Sequence, residues 1–291
     1  MQLDHDALPP KPDFPSFFFG TGFGYVCYYM LQNDWVWSRL SEEERTFVKA
    51  HNEYWNNNAE GYKDPVAYQG QRGKSFFTLE NRSMTWKGRE IEKFLLKNRS
   101  RRVLEIGPGS GYYSRQIIDQ TFVEEYVASD INSSFLDFIE KGVREHPRGS
   151  SVKFERAIIS QVHQIKSVDA ILVLSALHHV PDRPEFVNQL AKLLNPGGVI
   201  FFYEPSHSFL RALELAMSFA RNGWYRTSVV RRRNNYMTHH FCTVGETISI
   251  ARITGLQLLD LNLKSAFPLP NIRAIEAPFA REMTFTLRKN S

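Results

Sequence analysis

The stretch Val103-Leu104-Glu105-Ile106-Gly107-Pro108-Gly109-Ser110-Gly111 constrains this chain most. A short apolar run passes into a turn with glycine at alternate positions, and an amphipathic pattern, Tyr112–Gln120, follows at once. Glycine takes positive φ at little cost and has no Cβ to hold a ligand away from the backbone. Such a strand–turn–helix unit lies at the carboxyl edge of an open α/β sheet, where ligands bind.

The flanking sequence extends this unit. Arg102–Ile106, Tyr126–Ser129, Val152–Ile158, Val168–Leu174 and Gly198–Tyr203 read as strands, separated by helical patterns at Ser133–Glu145 and Pro184–Leu194. Val168–Leu174 is almost wholly apolar, as a strand covered on both faces must be. Alternation of this kind predicts a parallel sheet with helices on both faces. Leu256–Leu263 and Glu282–Arg288 are two further strand candidates that would complete the sheet. Upstream, helices are predicted at Ser41–Asn56, where Ser41 and Glu44 form a capping box, and at Thr85–Lys97.

Two nucleotide cofactors suit a glycine turn of this kind. Dinucleotides require G-x-G-x-x-G, with the pyrophosphate at the helix N-terminus. Here the pattern is G-x-G-x-G, and Glu105 precedes it. A carboxylate there repels a pyrophosphate and attracts an ammonium. Asp130, ending the second strand, can accept hydrogen bonds from both ribose hydroxyls, a role open to either cofactor.

Taken in order, these marks are similar to those of the class I S-adenosylmethionine-dependent methyltransferases. The resemblance rests on Glu105–Gly111, Asp130, Val168–Leu172 running into Leu177-His178-His179-Val180, and Leu194-Asn195-Pro196-Gly197-Gly198-Val199. Asn56–Tyr62 resembles the short helix that precedes the core in many small-molecule members. The resemblance implies a Rossmann-like α/β fold with a seven-stranded, mostly parallel sheet whose last strand is antiparallel. It also implies S-adenosylmethionine as cofactor and S-adenosylhomocysteine as product. Glu105 and the backbone of Gly107, Pro108, Gly109 and Gly111 would hold the methionine end, Asp130 the ribose and Ile131 the adenine, with Ser175 lining the methionine side. Where the family often has an acid for adenine, this chain reads Ile158-Ile159-Ser160-Gln161, so Ser160, Gln161 or a backbone group takes that role.

On this reading residues 1–99 form an aromatic-rich helical cap, 100–205 and 244–291 the core, and 206–243 a basic lid after strand five. His179 and His178 are candidates for general base, since an ordinary imidazole titrates at about 6.5; either is equally a structural residue at the cleft rim. Glu204, Tyr203 and His207 follow strand five on the expected cleft side, with Glu204 and His207 as catalytic candidates and Tyr203 as a substrate contact. His239 and His240 lie in the insertion. Arg221, Arg226, Arg231, Arg232 and Arg233 fall in a segment lacking Asp and Glu. That segment is a solvated loop, a lid whose Arg231, Arg232 and Arg233 meet an anionic acceptor, or an RNA contact. Phe14 through Trp37 is an aromatic run suited to packing the cap, walling a pocket or burying a homodimer contact.

Several classes are disfavoured. No H-E-x-x-H or Cys/His spacing appears, so no metal is expected. Cys27 and Cys242 are too few and too far apart for a disulfide framework, and the N-terminus lacks a basic region followed by an apolar run. Glycines and polar residues interrupt Phe14–Leu31, against a membrane span. A cytoplasmic protein is expected. The net charge of +5 is too mild to imply nucleic acid. Base methylation is disfavoured because Ser175-Ala176-Leu177-His178 stands where an Asn/Asp-Pro-Pro-aromatic pattern is used. The expected reaction is O-, N- or C-methylation of a small metabolite with aromatic or carboxylate character. The alternatives are a cyclase that retains the cofactor without methyl transfer, and an RNA-binding module.

Overall fold

Strand β1 (Arg102–Ile106) is buried at every position, so both faces of the sheet must be covered where it runs. It pairs in parallel with β2 (Glu125–Asp130) on one side and β4 (Val168–Leu174) on the other. The computed structural model describes residues 75–79, 81–130, 133–158, 164–180, 183–206, 242, 244–265 and 280–290, without the side chains of Ile158 and His179. With β3 (Lys153–Ile158), β5 (Leu194–Pro205), β6 (Gln257–Ser265) and β7 (Ala280–Arg288), the sheet has seven strands in the order β3-β2-β1-β4-β5-β7-β6. The first five are parallel, and β7 runs antiparallel to both β5 and β6. This is the predicted Rossmann-like α/β arrangement.

Period-two alternation divides the core between the two faces. Val103, Tyr126, Ala170, Leu172 and Phe201 pack with Ile91, Phe94 and Leu95 of helix α1 (Trp86–Asn98). The same face holds Ile117 and Ile118 of α2 (Ser114–Ile118) and Leu136 and Ile139 of α3 (Ser133–Glu145). On the opposite face Leu104, Ile106, Ile171 and Phe202 meet Val187 and Leu190 of α4 (Arg183–Leu193) and Ile250 and Ala251 of α5 (Val244–Thr254). Each large apolar side chain buried this way contributes about 1.5–3 kcal/mol against exposure.

Helix α1 begins where the predicted one does, with Thr85 as its N-cap: the Thr85 hydroxyl accepts from the amide of Gly88 at 2.9 Å. It ends at Arg99 in left-handed conformation (φ 46°), whose amide reaches the carbonyl of Leu95 at 2.8 Å. The segment before α1 is locked onto the glycine turn. The amide of Phe76 donates to the carbonyl of Ser110 at 2.9 Å, and the buried Arg82 guanidinium donates to the carbonyls of Tyr112, Phe76 and Thr78.

Most elements fall within one or two residues of expectation, and two of the differences have a visible cause. Helix α2 covers Ser114–Ile118 rather than Tyr112–Gln120; the Tyr112 carbonyl accepts from Arg82, and the Gln116 amide that would have met it donates to the Tyr113 carbonyl at 3.0 Å instead. Strand β5 begins at Leu194, not Gly198. Leu194 already pairs with Val168, the chain turns through Gly197 at φ 74°, and the ladder resumes at Val199 opposite Ala170. Asp169 braces this amino-terminal edge, accepting from the amides of Arg101 and Arg102 at 3.0 and 2.9 Å and from the Asn195 amide group at 2.7 Å. Among the described residues no helix is long and apolar enough to cross a membrane. The predicted helix at Ser41–Asn56, the segment Asn56–Tyr62, the aromatic run 14–37 with its dimer contact, and all of the basic segment from 207 to 241 lie outside the described residues.

Candidate active site

The glycine turn leaves the carboxyl end of β1 as predicted. Gly107, Gly109 and Gly111 have φ of 65°, 54° and 71°, a region in which any side chain would be strained. A Cβ at Gly109 would meet nothing within 4 Å, so open space lies above the turn. A Cβ at Gly107 would come 3.1 Å from the Cβ of Ala176. The segment after β4 therefore lies directly against the turn. Asp130 ends β2 beside it, its Oδ2 3.3 Å from the Gly109 amide. An open backbone cradle next to a carboxylate fits a nucleoside whose ribose hydroxyls need acceptors. Ile131 and Ser160 lie outside the described residues.

Glu105 is fully buried on the α1–α3 face. Its Oε2 accepts from the hydroxyls of Ser114 at 2.7 Å and Tyr126 at 2.6 Å. Burial raises its pKa, against the lowering effect of those two hydrogen bonds and of Lys87. The same burial, with the carboxyl beside it, pushes the Tyr126 phenol well up.

Lys87, on α1, reaches the carboxyl edge. Its Nζ lies 3.2 Å from the hydroxyl of Ser175, with the Tyr203 ring centroid at 4.1 Å and the Tyr113 ring centroid at 4.7 Å. Ser175 itself has φ 62°, and its amide donates to the Tyr203 carbonyl at 2.7 Å, which fixes the end of β4 to β5. The Trp86 ring is 6.0 Å from that of Tyr203. Burial first, then Glu282, holds the Tyr203 phenol far above its ordinary range, so it stays protonated. Trp86, Lys87 and Tyr113 were absent from the predicted site. For Trp86 and Lys87 the local signal is the N-cap at Thr85, and that they face the cleft depends on how α1 lies on the sheet; Tyr113 follows the glycine turn directly, at the start of α2.

On the other face, Glu204 is fully buried. Its Oε1 accepts from the amides of Ala176 and Leu177 at 3.0 and 2.8 Å, and its Oε2 lies 2.6 Å from Nδ1 of His178. This corrects the expectation that Glu204 faces the cleft. It sits beneath the short turn Leu177–His179 and braces it. Next to this pair, the buried Arg183 and Glu246 form a salt bridge. The structure thus brings together Glu105, Gly107, Pro108, Gly109, Gly111, Asp130, Ser175 and Tyr203 along one edge, with His178 and Glu204 just below it. The His179 side chain, His207, Arg231, Arg232, Arg233, His239 and His240 lie outside what is described. Among the described residues no cluster of His, Cys, Asp and Glu is arranged to hold a metal.

A seven-stranded sheet of this order, with a glycine cradle after β1 and an acid after β2, defines a class I methyltransferase fold. A family model described as a methyltransferase domain matches residues 79–247, and the chain belongs to that family. It is 29% identical over 196 residues to the ubiquinone biosynthesis O-methyltransferase of Bordetella avium, covering 65% of this chain and 76% of that protein. It is 26% identical over 159 residues to a highly reducing polyketide synthase of Alternaria alternata, covering 53% of this chain but spanning only 6% of the synthase. Among solved structures, the plantazolicin methyltransferase BamL, in complex with a triazolic desmethyl analogue and S-adenosylhomocysteine, superposes with a TM-score of 0.55. It is 16% identical and covers 86% of this chain and 97% of that one.

Proposed function

We propose that this protein transfers the methyl group of S-adenosylmethionine to a small-molecule acceptor that loses a proton on methylation, a hydroxyl or a carbon acid. The observation that carries the reading is the 2.6 Å contact between His178 Nδ1 and Glu204 Oε2 just below the carboxyl edge. A carboxylate accepts hydrogen bonds, so in this reading Nδ1–H donates to Glu204 and the acceptor's proton passes to Nε2. Bound at the glycine turn, the cofactor supplies an electrophilic methyl group. Asp130 holds ribose hydroxyls, the backbone at Gly107, Gly109 and Gly111 admits close approach, and Glu105 places a carboxyl group beneath the methionine end. Ile131 and Ser160 complete the nucleoside contacts. Positioning supplies much of the rate in such a displacement. His178, or His179 beside it, takes the acceptor's proton.

The acceptor carries aromatic or carboxylate character. Trp86, Tyr113 and Tyr203 supply ring faces at the edge. Residues 1–99 act as a cap over the core formed by 100–205 and 244–291, and 206–243 as a lid, in which Arg231, Arg232 and Arg233 meet the acceptor's negative charge and His207, His239 and His240 line the approach. The likeness to a ubiquinone biosynthesis O-methyltransferase supports an O-acceptor. The test is incubation with methyl-labelled S-adenosylmethionine and a panel of hydroxylated aromatic acids and β-ketoacyl thioesters. Label in product together with S-adenosylhomocysteine is the expected result. Turnover of an acceptor without S-adenosylhomocysteine would favour a cyclase that keeps its cofactor, and no turnover with tight, salt-sensitive RNA binding would favour the RNA module.

A further inference from the structure

We infer that Lys87 is a charge-sensing residue at the donor end of the cleft. In the free protein its ammonium fills a cation site that the cofactor's own positive end competes for, so the protein distinguishes the sulfonium donor from its neutral thioether product. The inference rests on the cofactor reading above.

Two tyrosine rings and one hydroxyl surround the Lys87 ammonium: Tyr203 at 4.1 Å, Tyr113 at 4.7 Å and Ser175 Oγ at 3.2 Å. Ring faces carry negative quadrupole density and attract cations, and a hydroxyl oxygen adds an acceptor. The site is thus built for positive charge from residues of α1, the turn after β1, and the ends of β4 and β5. It also belongs to the donor edge. Ser175 precedes Ala176, whose Cβ is the group a side chain at Gly107 would strike, and the Glu105 carboxyl below feels the Lys87 charge. Lys87 is half-buried, on a helix whose start is capped and whose preceding segment is locked to the glycine turn. Its backbone is therefore fixed, and a long stem of rotatable bonds carries its ammonium.

Both S-adenosylmethionine and S-adenosylhomocysteine bring an ammonium and a carboxylate to this edge; only S-adenosylmethionine adds the positive charge of a sulfonium. Like charges held a few ångströms apart in a partly buried site repel strongly. Lys87 must withdraw further for the donor than for the product. Removing its charge therefore favours the donor selectively.

Calorimetry on the full chain tests this with S-adenosylmethionine and S-adenosylhomocysteine as probes, for wild type, Lys87→Met and Lys87→Arg. Lys87→Met is expected to shift the ratio of the two dissociation constants by about tenfold toward the sulfonium form, and Lys87→Arg to keep the wild-type ratio. Because a ratio within one variant is read, a partial loss of folded protein does not disturb it. An unchanged ratio in Lys87→Met, including equal weakening of both ligands as a simple carboxylate contact would give, overturns the inference alone. Binding of neither ligand by wild type overturns the cofactor reading and the inference with it.

Discussion

Glu204 Oε2 lies 2.6 Å from His178 Nδ1, while Oε1 of the same carboxylate takes the backbone amides of Ala176 and Leu177. One buried group thus braces the path of the turn and holds the imidazole. Glu204→Gln should separate the two roles. Its amide oxygen can still accept from the backbone, but its NH2 group then faces Nδ1 and forces the ring proton onto Nε2. The fold should survive, and turnover of an acceptor found in the panel should drop about 10²–10⁴-fold. Nitrogen NMR of His178 should show the tautomer reversed; an unaltered tautomer with normal turnover would remove His178 from the mechanism. Glu204→Ala should instead lower the melting temperature, since each buried donor left unpaired costs about 1–3 kcal/mol.

Asp130→Ala tests the nucleoside assignment. The carboxylate stands beside an open glycine cradle and contacts the Gly109 amide at 3.3 Å. A charge-assisted hydrogen bond is worth about 1.5–3 kcal/mol, so the dissociation constant for S-adenosylhomocysteine should rise at least tenfold. Equal affinity in wild type and variant would place the ribose elsewhere.

Glu105 gives a pH-dependent prediction. Burial raises its folded-state pKa above the ordinary value of about 4.3 expected in the unfolded chain. The folded state then binds the proton more tightly than the unfolded state. Its stabilising contribution is complete below the unfolded pKa and declines as pH rises toward the folded one. Glutamine at this position can still accept from Ser114 and Tyr126 and does not titrate. The melting temperature of Glu105→Gln relative to wild type should accordingly climb between pH 4 and pH 7. A flat difference across that window would show that the carboxyl is not desolvated in the native state.

Cys242 is fully buried, and burial pushes its thiol well up. In a Cys27→Ser background, a thiol-reactive disulfide reagent should modify it no faster than the protein unfolds. Rapid labelling under native conditions would mean that the segment around it opens locally.

The sheet was legible because its strands are apolar runs punctuated by glycine and polar turns, and the nucleoside cradle because Glu105 through Gly111 is contiguous. What escaped was long-range. Lys87 and Ser175 are separated by 88 positions, and no local pattern brings them together. Glu204 was placed in the cleft because β5 is apolar on both sides; which face a residue joins is settled only by the helices that pack there. Phe202 faces α4 and α5, and Glu204 follows it to that side by alternation. The shortened α2 is a similar case, since the Tyr112 carbonyl accepts from Arg82, far upstream.

Strand β7 lies between β5 and β6, and among the described residues β6 has no other neighbour in the sheet. During synthesis every other strand leaves the ribosome before β7 does. Until Ala280–Arg288 emerges, β5 exposes a raw edge and β6 has nothing to pair with. A nascent chain halted before residue 280 would carry the complete glycine cradle and still present an open, apolar strand for aggregation. Pairing of β7 is therefore the step that covers the β5 edge and joins β6 to the rest of the sheet.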